Sequence, residues 1–169
     1  DTFGVGHAGT SIGAAQGMAE GIRRSGSDRK AVAIIGDGAI TAGQAFEALN
    51  HAGHIRKKYL LILNDNDMAI SYPVGGFHRY LDTVRTNPLY KEFKKDVESL
   101  LDKVPVIGES LHDGLLHLKD ALKHALIPGR VFEDLGLRYF GPVDGHDTEA
   151  VIRALNAVKD FEEPVLLHV

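Results

Sequence analysis

The stretches that decide the fold are Ala31-Val-Ala-Ile-Ile-Gly-Asp-Gly38 and Tyr59-Leu-Leu-Ile-Leu-Asn-Asp-Asn66. Each begins with a short continuous apolar run, which is typical of a strand buried on both faces of a parallel sheet. Between them, Thr41-x-x-Gln44 has the form of a capping box for a helix that Gly53 can end. We therefore predict a right-handed βαβ unit in this part of the chain.

The same alternation continues on both sides of this unit. A helix rich in Ala and Gly precedes it, and the last third of the chain contains two apolar strands separated by a helix that Asp147 can cap. The predicted fold is an α/β domain of three layers around a central, mostly parallel sheet. The flanking elements are expected at residues 13–24, 136–140, 147–159 and 164–169.

The middle of the chain is more charged, and four prolines punctuate it. We predict a helical insertion over about residues 72–130, within a single domain that spans residues 1–169 and looks incomplete at both ends. An apolar stripe at helical spacing predicts an amphipathic packing helix. This stripe consists of Leu111, Leu115, Leu118, Leu122 and Ala125.

Composition narrows the possible functions of the 169 residues. The 19 Lys and Arg residues against 23 Asp and Glu residues give a net charge of -4, which argues against a dedicated nucleic-acid binder. The absence of cysteine excludes disulfides, thiolate metal sites and thiol catalysis. No apolar run reaches the length of a membrane span, and no signal peptide is recognisable.

A glycine-rich segment, Gly4-x-Gly6-x-x-Gly9, lies near the start of the chain. It has the spacing of a dinucleotide fingerprint, but it lacks the preceding strand and the later acidic residue that such a site needs. Two interpretations stay open: a loop whose backbone approaches an anionic ligand, and plain close packing. His7 is positioned in sequence to donate to a phosphate.

Asp37 and Asn66 each follow a predicted buried strand, with 25 residues between Gly38 and Asn64. If the strands are parallel, both side chains emerge at the carboxyl edge of the sheet, where α/β proteins bind ligands. A carboxylate and an amide oxygen are ligands that Mg²⁺ prefers, and Gly38 allows a diphosphate to approach the backbone. The pair thus favours a metal-diphosphate site, and the plainer alternative is two polar turns that close a βαβ unit.

Taken together, the motifs resemble those of the 1-deoxy-D-xylulose-5-phosphate synthase family, whose members are transketolase-like enzymes dependent on thiamine diphosphate. The resemblance covers nearly the whole chain in family order. It implies the thiamine diphosphate-binding fold described above. The motifs are Phe3-Gly-Val-Gly-His-Ala-Gly-Thr-Ser-Ile12, Gly36-Asp-Gly-Ala-Ile-Thr-Ala-Gly43, Ile62-Leu-Asn-Asp-Asn-Asp-Met-Ala-Ile-Ser71 and Tyr139-Phe-Gly-Pro-Val-Asp-Gly-His-Asp147.

The resemblance also implies a set of site residues. Mg²⁺ would be held by Asp37, the Asn66 side chain and the Met68 carbonyl, and the cofactor would be contacted by Gly6, His7, Ala8, Gly38, Ala39 and Asn66. Two departures are visible: Ala8-Gly9 replaces the two serines usual in the family, and Pro73-Val-Gly-Gly76 differs from the usual Asn-Val-Gly-Ala. The turn from Asp144 to Asp147 receives no role in binding.

By the same resemblance, the expected activity is that of a transferase. It joins pyruvate, with loss of carbon dioxide, to D-glyceraldehyde 3-phosphate, a step that serves isoprenoid and thiamine biosynthesis. We expect a homodimer in the cytoplasm, or in a plastid if the source is a plant. No residue here is assigned to catalysis with certainty, since the family's catalytic glutamate lies in a downstream domain. This chain alone should be inactive.

Three alternatives to this function stay open. Two are enzymes: a transketolase-like half-subunit, and the α subunit of a 2-oxo acid dehydrogenase. The third is a noncatalytic binding module that keeps the fold and has lost the reaction. Retention of Asp37 and Asn66 argues against the last.

Overall fold

The structure, a computed structural model, describes residues 3–68, 74–86 and 129–169. These residues form four strands, five α-helices and a 3₁₀ turn at Ala39–Thr41. The strands are β1 (Val32–Gly36), β2 (Leu60–Asn64), β3 (Arg138–Phe140) and β4 (Val165–His168). The helices are α1 (Ser11–Arg24), α2 (Gly43–Ile55), α3 (Gly76–Thr86), α4 (Arg130–Asp134) and α5 (Thr148–Val158).

The four strands form one sheet in the order β1-β2-β4-β3, and every neighbouring pair is parallel. This confirms the predicted α/β fold with a central parallel sheet. Because all strands run the same way, the turns that follow them gather along a single carboxyl edge. The register brings Asp37 and the turn that contains Asn66 together at this edge, because Gly36 of β1 pairs with Asn64 of β2.

One face of the sheet carries the main core. Alternate residues of the strands point to this face, and they are almost fully buried with apolar side chains of α1 and α2. Phe132 of α4 closes the core near β3, stacked on the ring of Tyr139 with centroids 5.7 Å apart. The strand residues involved are Ala33, Ile35, Leu61, Leu63 and Leu166.

The opposite face is covered unevenly, and here the prediction for β1 was wrong. Leu167 of β4 is fully buried, its neighbour Ile62 of β2 is half-buried, and Ile34, next in register, is 64% exposed. On this side Phe161, after α5, packs on Phe140 of β3, with ring centroids 5.4 Å apart. Among the described residues, this aromatic contact lies at the end of the sheet formed by β3. Strand β1 is therefore buried on one face and not on both.

The predicted capping box was also wrong. Helix α2 begins at Gly43, with Ala42 as its N-cap residue and no side-chain cap. The Thr41 hydroxyl instead donates backwards to the Gly38 carbonyl at 2.7 Å, and the Gln44 amide donates to the Ala8 carbonyl at 2.9 Å. By contrast, Asp147 caps α5 as predicted, because its Oδ1 accepts from the Ala150 amide at 3.0 Å.

Only part of the predicted helical insertion falls within the described residues. Helix α3 occupies its beginning, and Leu81 and Val84 on this helix are buried. Residues 87–128, including the apolar stripe from Leu111 to Ala125, lie outside the described residues. Among the helices that are described, none combines the length and apolar character required to cross a bilayer.

Candidate metal and diphosphate site

Asp37 is the first residue after β1, and the sheet brings it to the turn after β2. Its backbone amide donates to the Asn64 carbonyl at 3.2 Å, which extends the β1–β2 ladder by one bond beyond Gly36. The two motifs that the sequence predicted to meet are therefore joined directly at the carboxyl edge.

Asp37 is an almost fully buried residue whose carboxylate oxygens still reach solvent, since no fully buried side-chain oxygen among the described residues lacks a partner. The residue is only 4% exposed, and no described residue gives its carboxylate a hydrogen bond or an ion pair. The other buried polar residues, Gln16 and His168, are both hydrogen-bonded. A carboxylate that is enclosed on most sides and accessible from one can accept a cation or a hydrogen-bond donor there. Asp37 therefore keeps the position that the sequence predicted for a cation ligand.

The turn after β2 is organised by its own side chains. Asp65 Oδ1 accepts from the Asp67 amide at 3.3 Å, and Asn66 Oδ1 accepts from the Met68 amide at 3.2 Å. Asp67 takes the left-handed conformation, with φ of 56°, which an aspartate tolerates better than most residues. Asn66 and Met68 are exposed, and the Asn66 oxygen keeps a second lone pair for a ligand.

A buried network fixes this turn to the end of β4. His168 Nε2 lies 3.0 Å from Asp65 Oδ2, with only 1% and 2% of the two side chains exposed. His168 Nδ1 lies 2.7 Å from the Tyr139 hydroxyl of β3, and the Asp65 amide donates to the Val169 carbonyl at 2.8 Å. Each polar atom along this path has a partner, so the network holds the turn in one conformation.

The turn after β3 contacts the same network at the backbone of His168. Its sequence is Gly141-Pro-Val-Asp-Gly-His-Asp147. Gly141 has φ of +121°, and a Cβ there would lie 2.4 Å from the His168 carbonyl oxygen. The Val143 amide donates to that oxygen at 2.8 Å, and Asp144 Oδ1 accepts from the His146 amide at 3.0 Å. These contacts give the turn a structural role.

The glycine-rich loop lies against the turn after β1. Gly9 is buried with φ of +79°, and a Cβ there would approach that of Ala42 to 2.7 Å. Close packing thus explains Gly9. Gly6 is different, because a Cβ there would meet nothing within 4 Å, and Gly6, His7 and Ala8 are all exposed. This arrangement leaves a diphosphate-binding role for the loop open, with Gly38 exposed and Ala39 half-buried beside it.

Two residues that the sequence reasoning missed also reach Asp37. Asp67 and His78 each bring one ligand atom into a group with Asp37, in which all three atoms lie within 4.8 Å of one another. His78 belongs to α3. The separation of Asp67 and His78 along the chain does not match a known spacing of metal ligands. No pattern in the sequence therefore identifies His78.

A cavity of about 510 Å³ lies at the opposite, amino edge of the sheet. Its lining is rich in cations and includes Arg29, Lys30, Arg56, Lys57 and Lys58. Most of these side chains are exposed. Neither Asp37 nor Asn66 belongs to the lining of this groove.

Comparison with known proteins bears on the family and the fold of the chain. The family model for 1-deoxy-D-xylulose-5-phosphate synthase, N-terminal part, matches residues 1–169. Proteins named 1-deoxy-D-xylulose-5-phosphate synthase from Carboxydothermus hydrogenoformans and Desulforudis audaxviator are each 47% identical over the whole chain. The protein of that name from Clostridium tetani is 44% identical. In each case the chain spans 27% of the relative's length. The alternative enzymes and the noncatalytic module are not favoured.

Among solved structures, a thiamin diphosphate-dependent enzyme isolated from Mycobacterium smegmatis superposes with a TM-score of 0.55. The match covers 97% of this chain and 22% of that one, at 18% identity, so it supports the fold alone. The full-length family match and the close relatives settle the membership. The chain belongs to the 1-deoxy-D-xylulose-5-phosphate synthase family.

Proposed function

We propose that this chain supplies the metal- and diphosphate-binding part of a 1-deoxy-D-xylulose-5-phosphate synthase. The observation that carries the proposal is the position of Asp37, an almost fully buried residue whose carboxylate has no partner among the described residues, at the edge where the Asn66 turn also lies. Hard oxygen donors at this edge suit Mg²⁺. The support for thiamine diphosphate comes from family membership and the exposed glycine-rich loop.

In this proposal, Asp37, Asn66 and the Met68 carbonyl hold Mg²⁺. Gly6, His7, Ala8, Gly38, Ala39 and Asn66 contact the cofactor. Thiamine diphosphate supplies the carbanion chemistry for decarboxylating an α-keto acid and joining the remaining fragment to an aldehyde. The residues of this chain bind and orient the diphosphate end. The paired network of Asp65, His168 and Tyr139 keeps the Asn66 turn in position while they do so.

The substrates of the complete protein are proposed to be pyruvate and D-glyceraldehyde 3-phosphate, and the product 1-deoxy-D-xylulose 5-phosphate feeds isoprenoid and thiamine biosynthesis. This rests on relatives that this chain covers to 27% of their length. We also propose a homodimer located in the cytoplasm, in keeping with the bacterial origin of these relatives, or in a plastid for a plant source.

The test uses the intact gene product with Mg²⁺ and thiamine diphosphate. Supplied with pyruvate and glyceraldehyde 3-phosphate, it should release carbon dioxide and form deoxyxylulose phosphate. Asp37→Ala should abolish both, because the metal loses its buried ligand. Asp160→Ala, which removes an exposed carboxylate after α5, is the matched control and should retain both.

Two results would contradict the proposal. Absence of product in the unmodified protein would remove the assigned reaction, and unchanged activity in Asp37→Ala would remove the assigned site. Calorimetric titration with thiamine diphosphate and Mg²⁺ separates the cases, since it measures binding without turnover. The 169-residue chain alone, which spans 27% of the relatives' length, should form no product.

A further inference from the structure

The cavity at the amino edge of the sheet, here called the amino-edge groove, carries an excess of positive charge. Among the described residues, seven cationic side chains and two carboxylates line it. Besides the five cations named above, Arg23 of α1 and Lys159 after α5 belong to the lining, and the carboxylates are Glu162 and Glu163. The whole chain, by contrast, has a net charge of -4. The volume of about 510 Å³ is in the range of pockets that hold a small organic ligand.

The cations are carried by backbone that is fixed by the sheet. The Leu60 amide donates to the Ala31 carbonyl at 3.2 Å, so the segments that lead into β1 and β2 lie side by side. Lys30 directly precedes Ala31, and Lys58 lies two residues before Leu60. An anion that reaches this edge therefore meets cations whose backbone is already ordered, and binding costs little conformational entropy of the main chain.

Three helix ends explain only a part of this charge. Arg23 lies in the last turn of α1, Arg56 is the C-cap residue of α2, and Lys159 is the C-cap residue of α5. Cations at such positions complement the helix dipole, and each helix end carries about half a negative charge. The three ends together balance about one and a half positive charges. Most of the excess positive charge in the groove is therefore left for another anion.

The chain itself places one carboxylate among these cations. Lys58 Nζ lies 2.6 Å from Glu162 Oε1, and the Glu162 side chain is 84% exposed. The hydrogen bond from Lys58, and to a smaller extent the charges of Lys58 and Lys30, hold the pKa of the Glu162 carboxyl below its usual range. Two cations from different segments thus act on the same anion. Because an exposed ion pair is weak, a ligand with a higher charge can displace this carboxylate.

The groove also offers apolar surface next to the cations. Val158 is buried and Phe161 is half-buried, and both line the cavity. We propose that the amino-edge groove binds an organic phosphate of the size of a nucleoside monophosphate, with the phosphate on Lys30, Lys57 and Lys58 and the apolar body against Val158 and Phe161. This site lies at the edge opposite to the proposed diphosphate site, so it goes beyond the proposed function.

The test uses the intact gene product and adenosine monophosphate as the probe, with calorimetry at low ionic strength. We expect one probe molecule per chain, weaker binding of inorganic phosphate, and no binding of adenosine, because the phosphate supplies the charge and the adenine ring the apolar contact. The affinity should be the same with and without saturating thiamine diphosphate and Mg²⁺, since those ligands belong to the other edge.

Two sets of variants locate the probe. Lys30→Gln combined with Lys57→Gln should weaken its binding about tenfold or more, because two charged donors are lost. The matched control is Arg153→Gln on α5, an exposed cation outside the groove lining, which should keep the affinity. Circular dichroism verifies the fold of each variant.

The second set predicts a gain of binding. Glu162→Gln removes the competing carboxylate and should strengthen binding about two- to fivefold. Glu149→Gln, which breaks an exposed pair with Arg153 on α5, is its control and should leave the affinity unchanged. A purely structural role of these charges predicts no such gain.

Four outcomes would overturn the inference. They are no binding of the probe, loss of its binding when the cofactor is present, equal affinities in the lysine variant and its control, and binding of a polyglutamate peptide in place of the probe. The last would assign the groove to an acidic protein segment. The proposed function fails separately, if thiamine diphosphate with Mg²⁺ does not bind to the unmodified protein, whatever the nucleotide does.

Discussion

Charged side chains are buried at the carboxyl edge of the sheet and mostly exposed at the amino edge. At the carboxyl edge, the side chains of Asp37, Asp65 and His168 are almost fully buried. At the amino edge, the cavity is lined by cations that are mostly exposed, and Lys58 pairs with a Glu162 side chain that is 84% exposed. Removing the partner of a charged group should therefore cost more free energy at the carboxyl edge than at the amino edge.

The largest contrast should come from two glycines with positive φ, one at each edge. Gly141→Ala places a Cβ 2.4 Å from the His168 carbonyl oxygen, so we expect a loss of about 3 kcal/mol or more in the free energy of opening around β4. Gly26→Ala has the same kind of backbone but nothing within 4 Å, and about 1 kcal/mol is expected. Hydrogen exchange by mass spectrometry measures both, and equal losses would contradict the contrast.

A second effect concerns Tyr59, beside the amino edge, where burial raises the pKa of the phenol to about 12 from 10. Because the folded protein holds this proton more tightly than the unfolded chain, stability is complete below pH 10 and falls between pH 10 and 12. The expected loss is about 2 to 3 kcal/mol. Urea unfolding across this range measures it, and the fall should be shallower in Tyr59→Phe; identical slopes would show that Tyr59 does not cause it.

A third effect is expected in the buried network. Tyr139→Phe removes the hydroxyl that lies 2.7 Å from His168 Nδ1 and leaves a buried ring nitrogen without that partner, at a cost of about 1 to 3 kcal/mol. Tyr80→Phe, whose half-buried hydroxyl accepts from the Val131 amide at 3.2 Å, should cost less. Hydrogen exchange of the turn after β2 should accelerate only in Tyr139→Phe. If both variants behave alike, the network does not hold the turn.

The smallest effect is expected at the amino edge. Lys58→Gln breaks the 2.6 Å ion pair with Glu162, but solvent screens exposed pairs, so the change in unfolding free energy should stay below about 0.5 kcal/mol. Urea unfolding at low and high salt provides the measurement. A loss above 1 kcal/mol would mean that the two edges differ less than proposed.

The backbone frame of the site could be predicted from the sequence. The apolar runs before Asp37 and Asn64 located two parallel strands to within one residue, and parallel strands place their following turns together. The exposure of Ile34 could not be predicted in this way. A continuous apolar run specifies a strand, but which of its faces is covered depends on elements distant in sequence.

The side-chain partners were harder to predict, for the same reason. Thr41 and Gln44 match a capping box, yet Gln44 bonds to Ala8 across the fold. His168 and His78 lie near the turn after β2 only because β4 and α3 carry them there. Local spacing describes interactions within one element, and these contacts join elements that the chain brings together only on folding.

The strand register couples the packing of the apolar core to the position of Asp37. Ala33 and Ile35 are buried in the core cluster, and Gly36 pairs with Asn64. The alternation of inward and outward side chains along β1 therefore determines the face of the sheet to which the Asp37 side chain belongs. Deleting one residue within β1 would exchange the inward and outward side chains and displace the carboxylate without touching it. Evolution can therefore move or erase this site through a change among hydrophobic residues alone.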